Sequence, residues 1–322
     1  MTESAENFFL AQYAADGEVR AGIVIDDVIV DAGAALSRER IDPAERTYVT
    51  ALEILGNWRQ LYPRLRRIAG LVRSDEHPGK MPLSQARLLA PLLYPGSIYC
   101  AGANYRDHIA EMARATGTPP LPDLRELGQQ PWHFLKAPVP CVRGPNASIA
   151  LPSFSRQVDW EAEIAAVIGC TCRNVSSEEA LQYVAGLTIV NDLSARDLLR
   201  RPGLPEHSPL RFDWVGSKCF DGALPIGPWI CPLDQLPDVQ RLRIRLWVND
   251  ELMQDSTSAH LIFPIAEQVA ALSTRVTLRP GDVIATGTPA GVGAARGRFI
   301  QPGDRITIKV DGIGELVNDF TG

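Results

Sequence analysis

The sequence predicts an α+β protein that is mostly β, with a small α+β domain ahead of a larger β-rich one. Three observations carry this reading. From about residue 95 onward, short β-branched runs alternate with Pro/Gly turns, and helical periodicity is sparse there. Ahead of that region stand one hairpin pattern and one amphipathic helix, closed off by a polar, proline-bearing stretch. At 322 residues the chain has room for two domains, or for one large domain with an appendage.

The elements follow in order. Residues 21–32, AGIVIDDVIVDA, read as two β-branched strands joined at Asp26-Asp27. Tyr48, Leu52, Leu55, Trp58, Leu61, Leu65 and Ile68 recur every three or four residues, which predicts one amphipathic helix from Tyr48 to Ile68. The stretch RSDEHPGKMP then marks a boundary, so the small domain is expected over 1–90 and the β-rich domain over 91–322. Within the second, SIYCAGA, EAEIAAVIG, GLTIVND, RLRIRLWVND, DVIAT and DRITIKVDG read as strands. Helical patterns are confined to about 105–116, 177–185 and 263–273, which is not the regular βαβ spacing of a doubly wound sheet.

Composition excludes some function classes. With 45% hydrophobic and 22% charged residues the chain is an ordinary globular sequence. A net charge of -6, with no basic run, argues against a nucleic-acid partner. No apolar run approaches the roughly 20 residues of a membrane helix. The first residues, MTESAENFFLAQYAADGE, carry acids where a signal peptide has positive charge, so a cytoplasmic location is expected. The six cysteines include no C-x-x-C pair, and they read as reduced thiols in or beside apolar segments.

Four stretches concentrate polar residues in apolar surroundings. In VDWEAEIAAVIG, 158–169, Asp159, Glu161 and Glu163 alternate along a strand and so share one face. Burying like charges together costs several kcal/mol unless they take up protons or bind a cation, roughly as for any desolvated carboxylate. One such acid would read as a strand start facing water; three point to a cation site. In GLTIVNDLSARD, Asp192 follows an apolar strand in the same way. Carboxylates without clustered His or Cys favour a hard cation, Mg²⁺ or Mn²⁺ before Zn²⁺, with Ca²⁺ left open. Spacing leaves Asp159 open as a ligand or as a partner behind the ligands. In GANYRDHIAEM, His108 and Glu111 would be neighbours one helical turn apart, and such a pair can make a general base. A zinc protease would need a second His at position 112, which is Met112. In RPGDVIATGTPAGVG neither phosphate-loop pattern fits, and a tight loop offering N–H groups and Thr288 to a ligand stands beside a plain turn.

In this order, these stretches resemble the fumarylacetoacetate hydrolase family. The match runs through PGSIYCAGANYRDHIAEM, PWHFLKAP, VDWEAEIAAVIG, IVNDLSARD, VGSKCFDGALPIGPWI, VNDELMQDSTSAHLIF and RPGDVIATGTPAGVG, essentially residues 95 to 322. The resemblance implies a β-roll with a divalent-metal site, usually in a homodimer. It implies Glu161, Glu163 and Asp192 as metal ligands, with His108 and Glu111 as a catalytic dyad on a lid. It also implies Lys218 as the active-site lysine, Thr288 as a ligand for the substrate carboxylate, and Arg196 and Lys136 as further substrate-binding positions.

The implied activity is Mg²⁺-dependent cleavage of a carbon–carbon bond in acylpyruvate-like 1,3-dicarbonyl 2-oxo acids, a catabolic reaction on a small-molecule substrate. The same site supports decarboxylation, isomerisation, hydration or dehydration, and a metal-dependent binding protein without catalysis is the alternative from another class. One departure stands out. Where the family often carries Gln, three residues after the Arg of SARD, this chain has Leu199. Loss of an amide donor there points away from diacid substrates. Residues 105–128 begin as a short helix and run into GTPPLPDLRELGQQP, which predicts a lid that orders over substrate.

Overall fold

The structure is a computed structural model and describes residues 6–39, 46–74, 79–119 and 122–322. Residues 75–78 of the expected boundary stretch and residues 120 and 121 of the expected lid lie outside the described residues.

A large mixed sheet organises the molecule. Its path runs Lys80–Pro82, Val28–Asp31, Glu18–Ile25, Phe9–Ala15, Leu224–Pro232, Val184–Asn191, Ala162–Ile168, Val283–Ala285, Ile98–Ala101 and His133–Lys136. The expected hairpin is present, with Ile25 paired to Val28 around the Asp26-Asp27 turn. The expected helix is interrupted at Gly56 and Asn57, giving Ala51–Leu55 and Trp58–Arg73. Thr50 and Glu53 form a reciprocal cap on the first piece, and Leu52 stays exposed while Leu55, Trp58, Leu61, Leu65 and Ile68 are buried. The sheet crosses the expected boundary near residue 90, because Leu10 of the first strand pairs with Ile230 of Leu224–Pro232. The six runs read as strands in the larger part all form strands. Helices occur at Arg106–Thr116 and Ile265–Ser273, but 177–185 yields only a short 3₁₀ turn at Ala180–Tyr183 before the chain enters a strand.

A second, five-stranded sheet packs on the centre of the first. It runs Glu251–Thr257, Arg243–Val248, Arg305–Val310, Gly314–Thr321 and Ser148–Ala150. Its strands alternate: Ile244, Leu246, Val248, Ile306, Ile308 and Val310 are buried between partly or fully exposed neighbours. Ala162–Ile168 and Val184–Asn191 are buried at every position, which accounts for their continuous apolar runs.

The large sheet curls on itself. After His133–Lys136 the chain turns through Pro138–Cys141 into Val142–Arg143, which pairs in parallel with the start of Leu224–Pro232. Three connections leave this curled sheet at one end: the residues before Ala162, the loop after Ala285 and the loop after Ala101. Antiparallel pairing of Ala165 with Ala285 and parallel pairing of Ala285 with Cys100 dictate that convergence.

Candidate active site

Strand register gathers the acids. Ala162 pairs with Asn191 and Glu163 with Val190, so Glu161 stands across from Asp192, one step further out. The Asp192 amide donates to the Glu161 carbonyl at 2.9 Å, which holds that step. Residues opposite one another in an antiparallel ladder share a face, as do residues two apart on one strand. Glu161, Glu163 and Asp192 therefore converge, all three buried, with one ligand oxygen from each within 4.8 Å of the others.

Cations surround them. Lys218, at the end of the short helix Trp214–Lys218, places Nζ 2.8 Å from both Glu161 Oε2 and Asp192 Oδ2. Lys136 Nζ lies 2.7 Å from Asp192 Oδ1 and donates to the Leu193 and Lys218 carbonyls at 3.0 and 2.6 Å. Arg196 bonds Glu161 Oε1 through Nη2 at 2.5 Å and Asp159 Oδ2 through Nε at 2.8 Å.

The field splits the carboxylates. Burial pushes Glu161 up, but Lys218 and Arg196 outweigh it and hold the group well below the usual carboxylate range. Burial, then the charges of Asp192 and Glu161, push Glu163 well above that range. Burial lowers the tendency of Lys218 to hold its proton, and Asp192 and Glu161 more than reverse that.

The donor set fits a hard divalent cation. It contains only carboxylate oxygens, and Glu163 Oε1 is buried with no hydrogen-bond partner among the described residues. Oxygens bound to one such cation at roughly 2.0–2.6 Å lie no more than roughly 4–5 Å apart, and this cluster satisfies that limit. Glu163 Oε2 is oriented by the Gly287 amide at 2.7 Å.

Asp159, left open by the sequence, stands outside the acidic triad. Its two oxygens accept from the amides of Trp160, Gly293 and Ala294 and from Arg196 Nε, at 2.7 to 3.0 Å. It thereby joins the loop after Ala285 to the arginine that holds Glu161.

The Arg106–Thr116 helix lies against that loop. Gly117, left-handed at φ 65°, ends it, and none of its residues is fully buried. Arg106 donates to the Leu261 carbonyl at 2.8 Å, and Asp107 accepts from Ser256 Oγ at 2.5 Å. The expected hydrogen bond between His108 and Glu111 is not formed. Glu111 Oε2 instead accepts from the Gly291 amide at 2.7 Å, a donor presented by left-handed backbone at φ 104°. His108 Nδ1 is buried without a partner, and burial lowers the imidazole to about 4 despite the nearby Glu161 charge, so the ring is neutral at neutral pH.

Thr288 is placed at the site, but its hydroxyl donates to the Ala162 carbonyl at 3.0 Å and accepts from Gln254 Nε2 at 3.0 Å. Gln254 also accepts from the Ala162 amide, and Asn104 donates to the carbonyls of Phe263 and Thr286. Sequence reasoning missed both amides. A lone uncharged amide, in a loop for Asn104 and in a mixed strand for Gln254, carries no charge signal, and only its burial with every polar atom used reveals it. Leu199 is half-buried, and its carbonyl accepts from the Asp213 amide at 3.0 Å. A surface hollow of about 520 Å³ beside Trp58, Tyr62, Leu181 and Leu236 touches none of these groups.

Fold and site together define a mostly β protein whose curled sheet carries a buried acidic triad able to hold a metal ion. The profile described as fumarylacetoacetate (FAA) hydrolase C-terminal matches residues 97–321, and the chain belongs to the fumarylacetoacetate hydrolase family. It is 40% identical over 230 residues to a 4-hydroxyphenylacetate degradation bifunctional isomerase/decarboxylase of Salmonella dublin. That match covers 71% of this chain and 48% of the relative, so the chain matches about half of that protein's length. Maleylpyruvate hydrolase from Sphingobium sp. SYK-6, solved with manganese (II) ion and pyruvate, is 30% identical at a TM-score of 0.72, covering 97% of this chain and 98% of that one. A 2-hydroxyhepta-2,4-diene-1,7-dioate isomerase from Mycobacterium marinum is 28% identical at a TM-score of 0.68, covering 98% of each chain. No helix among the described residues is long and apolar enough to cross a membrane.

Proposed function

We propose that this enzyme is a divalent-metal-dependent hydrolase that cleaves acylpyruvate-like 1,3-dicarbonyl 2-oxo acids into pyruvate and a carboxylic acid. Glu161, Glu163 and Asp192 hold the metal, Mg²⁺ in first place with Mn²⁺ or Ca²⁺ as substitutes. When bound, it supplies Lewis-acid polarisation of the substrate's 2-oxo carboxylate. His108 takes a proton from water as the water oxygen attacks the carbonyl far from the carboxylate. The bond between that carbon and the central methylene breaks, and its electron pair becomes the enolate of pyruvate, which is then protonated at carbon. Lys218 stabilises the negative charge that develops. Glu111 holds the helix that carries His108 to the loop. Arg196 and Lys136 orient carboxylates and, with Thr288, border the substrate; Thr288 contacts it only by releasing the Ala162 carbonyl.

The observation that carries hydrolysis is His108: neutral, half-buried, with an Nδ1 that is buried and unpartnered and a ring that feels the Glu161 charge. Decarboxylation or isomerisation is the second reading, favoured by the 40% identity to a bifunctional isomerase/decarboxylase. A panel of acylpyruvates and oxaloacetate, assayed for pyruvate and for carbon dioxide with Mg²⁺ and after chelation, decides between them. Hydrolysis predicts Mg²⁺-dependent pyruvate with an equivalent of the second acid; carbon dioxide from oxaloacetate with no acylpyruvate cleavage establishes the other reading.

A cytoplasmic homodimer completes the proposal. Exposed Phe154 and Val215 line one hollow beside Cys219, a surface that a second copy would cover. Light scattering that gives a monomer mass at micromolar concentration sinks the dimer.

A further inference from the structure

The four rings beside Lys218 form the largest aromatic group among the described residues. The Phe134 ring centroid lies 4.9 Å from Lys218 Nζ. Trp214 stacks on Phe134 with centroids 5.2 Å apart, and Trp132 packs on Phe134 at 5.8 Å and on Trp214 at 5.0 Å. Phe212 extends the row, 6.3 Å from Trp214. The row runs from a buried ammonium out to solvent, where Trp132 is 49% and Phe212 45% exposed.

Local structure holds these rings in place. Trp132 packs on Gly102, where a Cβ would come within 2.1 Å of the indole, so only glycine fits. Gly102 opens the segment that carries His108, so the indole bridges from the lysine side of the site to the helix side. Phe212 and Trp214 are delivered by the chain that follows Leu199. The Arg201 amide bonds the Arg211 carbonyl at 2.8 Å, Arg200 bridges Phe212, and the Asp213 amide bonds Leu199. Arg211, over the Phe212 ring, directs its charge to Glu206 at 3.2 Å. The row thus offers ring faces, and the lysine at its inner end is committed to Glu161 and Asp192.

We infer that Phe134, Trp132 and Trp214 are specificity-determining residues that receive the substrate tail beyond the reacting carbonyl and select a flat, uncharged group, aryl or conjugated alkenyl. Ring faces are electron-rich, so they stack with such a group and disfavour a carboxylate that must shed water against them. The preference differs from the maleyl tail named for the Sphingobium neighbour. The inference rests on the reading of the metal centre as a 2-oxo acid site.

Calorimetric titration of the Mg²⁺-loaded protein with pyruvate, phenylpyruvate and 2-oxoglutarate tests it without turnover. Phenylpyruvate is expected to bind about tenfold tighter than pyruvate, the scale of one good ring contact, and 2-oxoglutarate no tighter than pyruvate. Trp132→Leu is expected to bring the phenylpyruvate-to-pyruvate ratio to within about twofold. Trp214→Leu is the second variant if Trp132→Leu does not fold, and a reduced ratio is expected there too. Equal binding of pyruvate and phenylpyruvate, tighter binding of 2-oxoglutarate, or an unchanged ratio in the folded variants overturns the inference. An unchanged ratio with a lower mass by light scattering assigns the rings to subunit contact instead. If pyruvate itself fails to bind, the 2-oxo acid reading is what falls, and that result is distinct from a missing ring effect.

Discussion

Glu161 and Asp192 face each other across the last step of an antiparallel ladder, joined by a 2.9 Å backbone hydrogen bond and by one ammonium, Lys218, 2.8 Å from a carboxylate oxygen of each. Two side chains 31 positions apart are thereby fixed by backbone geometry before any cation binds. Preorganised carboxylates spend little conformational entropy on closing around a metal. Lys218 partly neutralises them without filling the ligand set, since Glu163 Oε1 remains unpartnered.

Removal of a ligand tests the metal directly. Asp192→Ala or Glu163→Ala is expected to abolish Mg²⁺-dependent turnover, and Glu163→Ala to cost the chelator-treated fold least at high pH, where a buried Glu163 would otherwise have to ionise. Full activity of chelated wild type would remove the metal from the chemistry.

Stability of the chelated protein is expected to fall as pH rises from about 7 to about 8, above the range in which His108 and His133, both held down to about 4, add stability as the unfolded imidazoles lose their protons. Glu163, raised by burial and by Asp192 and Glu161, keeps its proton in the native state where the unfolded chain has lost it. Its contribution is present below the ordinary carboxylate range and drains away as pH rises through the raised value. Glu161, which is lowered, acts only below the ordinary range and so does not mask the trend. Mg²⁺ should raise Tm more at the upper pH, since metal and proton compete for the same oxygens. A chelated Tm that climbs across this window, or an equal slope in Glu163→Gln, contradicts the assignment.

His108→Ala is expected to lower kcat for hydrolysis at least about a hundredfold, the scale of a lost general base, while Mg²⁺ affinity stays near that of wild type. Because the imidazole is held down to about 4, kcat/KM should stay level as pH falls from neutral and drop only on approaching that value. A drop centred near the ordinary imidazole value would show that the ring is solvated in the working enzyme.

Hydrogen exchange across 105–128 is expected to slow when oxalate is added with Mg²⁺. The Arg106–Thr116 helix has no fully buried residue and depends on polar ties such as Glu111 to Gly291, so opening costs little apolar burial. Exchange that is unchanged on adding oxalate would make the segment a static cover.

Asp159→Asn is expected to destabilise the fold by about 3 kcal/mol in urea unfolding, the scale for breaking one partner of a buried ion pair. It should also weaken Mg²⁺ binding, because Arg196 loses the anchor that aims it at Glu161. Unchanged metal affinity would confine Asp159 to a structural part.

Leu199→Gln is expected to narrow any preference for apolar over diacid tails by about 1–2 kcal/mol, the net worth of one hydrogen bond. Fumarylpyruvate that clearly outperforms apolar-tailed acylpyruvates in wild-type kcat/KM would contradict the premise.

Much of the site is legible in the sequence because strand periodicity is local. Alternation along 159–163 puts the acids on one face, and Asp192 ends an apolar run of the partner strand. The metal triad follows once register is set. What failed to follow is what depends on partners far along the chain. Glu111 lies one turn from His108, yet it bonds Gly291, 180 positions away. Thr288 looks like a ligand in a glycine-rich loop, yet its hydroxyl is drawn to Ala162 and Gln254.

By itself, the sequence determined the strand-rich architecture and the acidic face, because hydrophobic period and residue type act over a few neighbouring positions. Only the tertiary structure decided that Asp159 is taken up by Arg196 and the Gly293 and Ala294 amides, that the helix at Tyr48–Ile68 breaks in two, and that Trp132 reaches Lys218 through Phe134. Those outcomes rest on which backbone donors and ring faces the curled sheet brings within about 3–6 Å, and hydrogen bonds and ring contacts act only at that range.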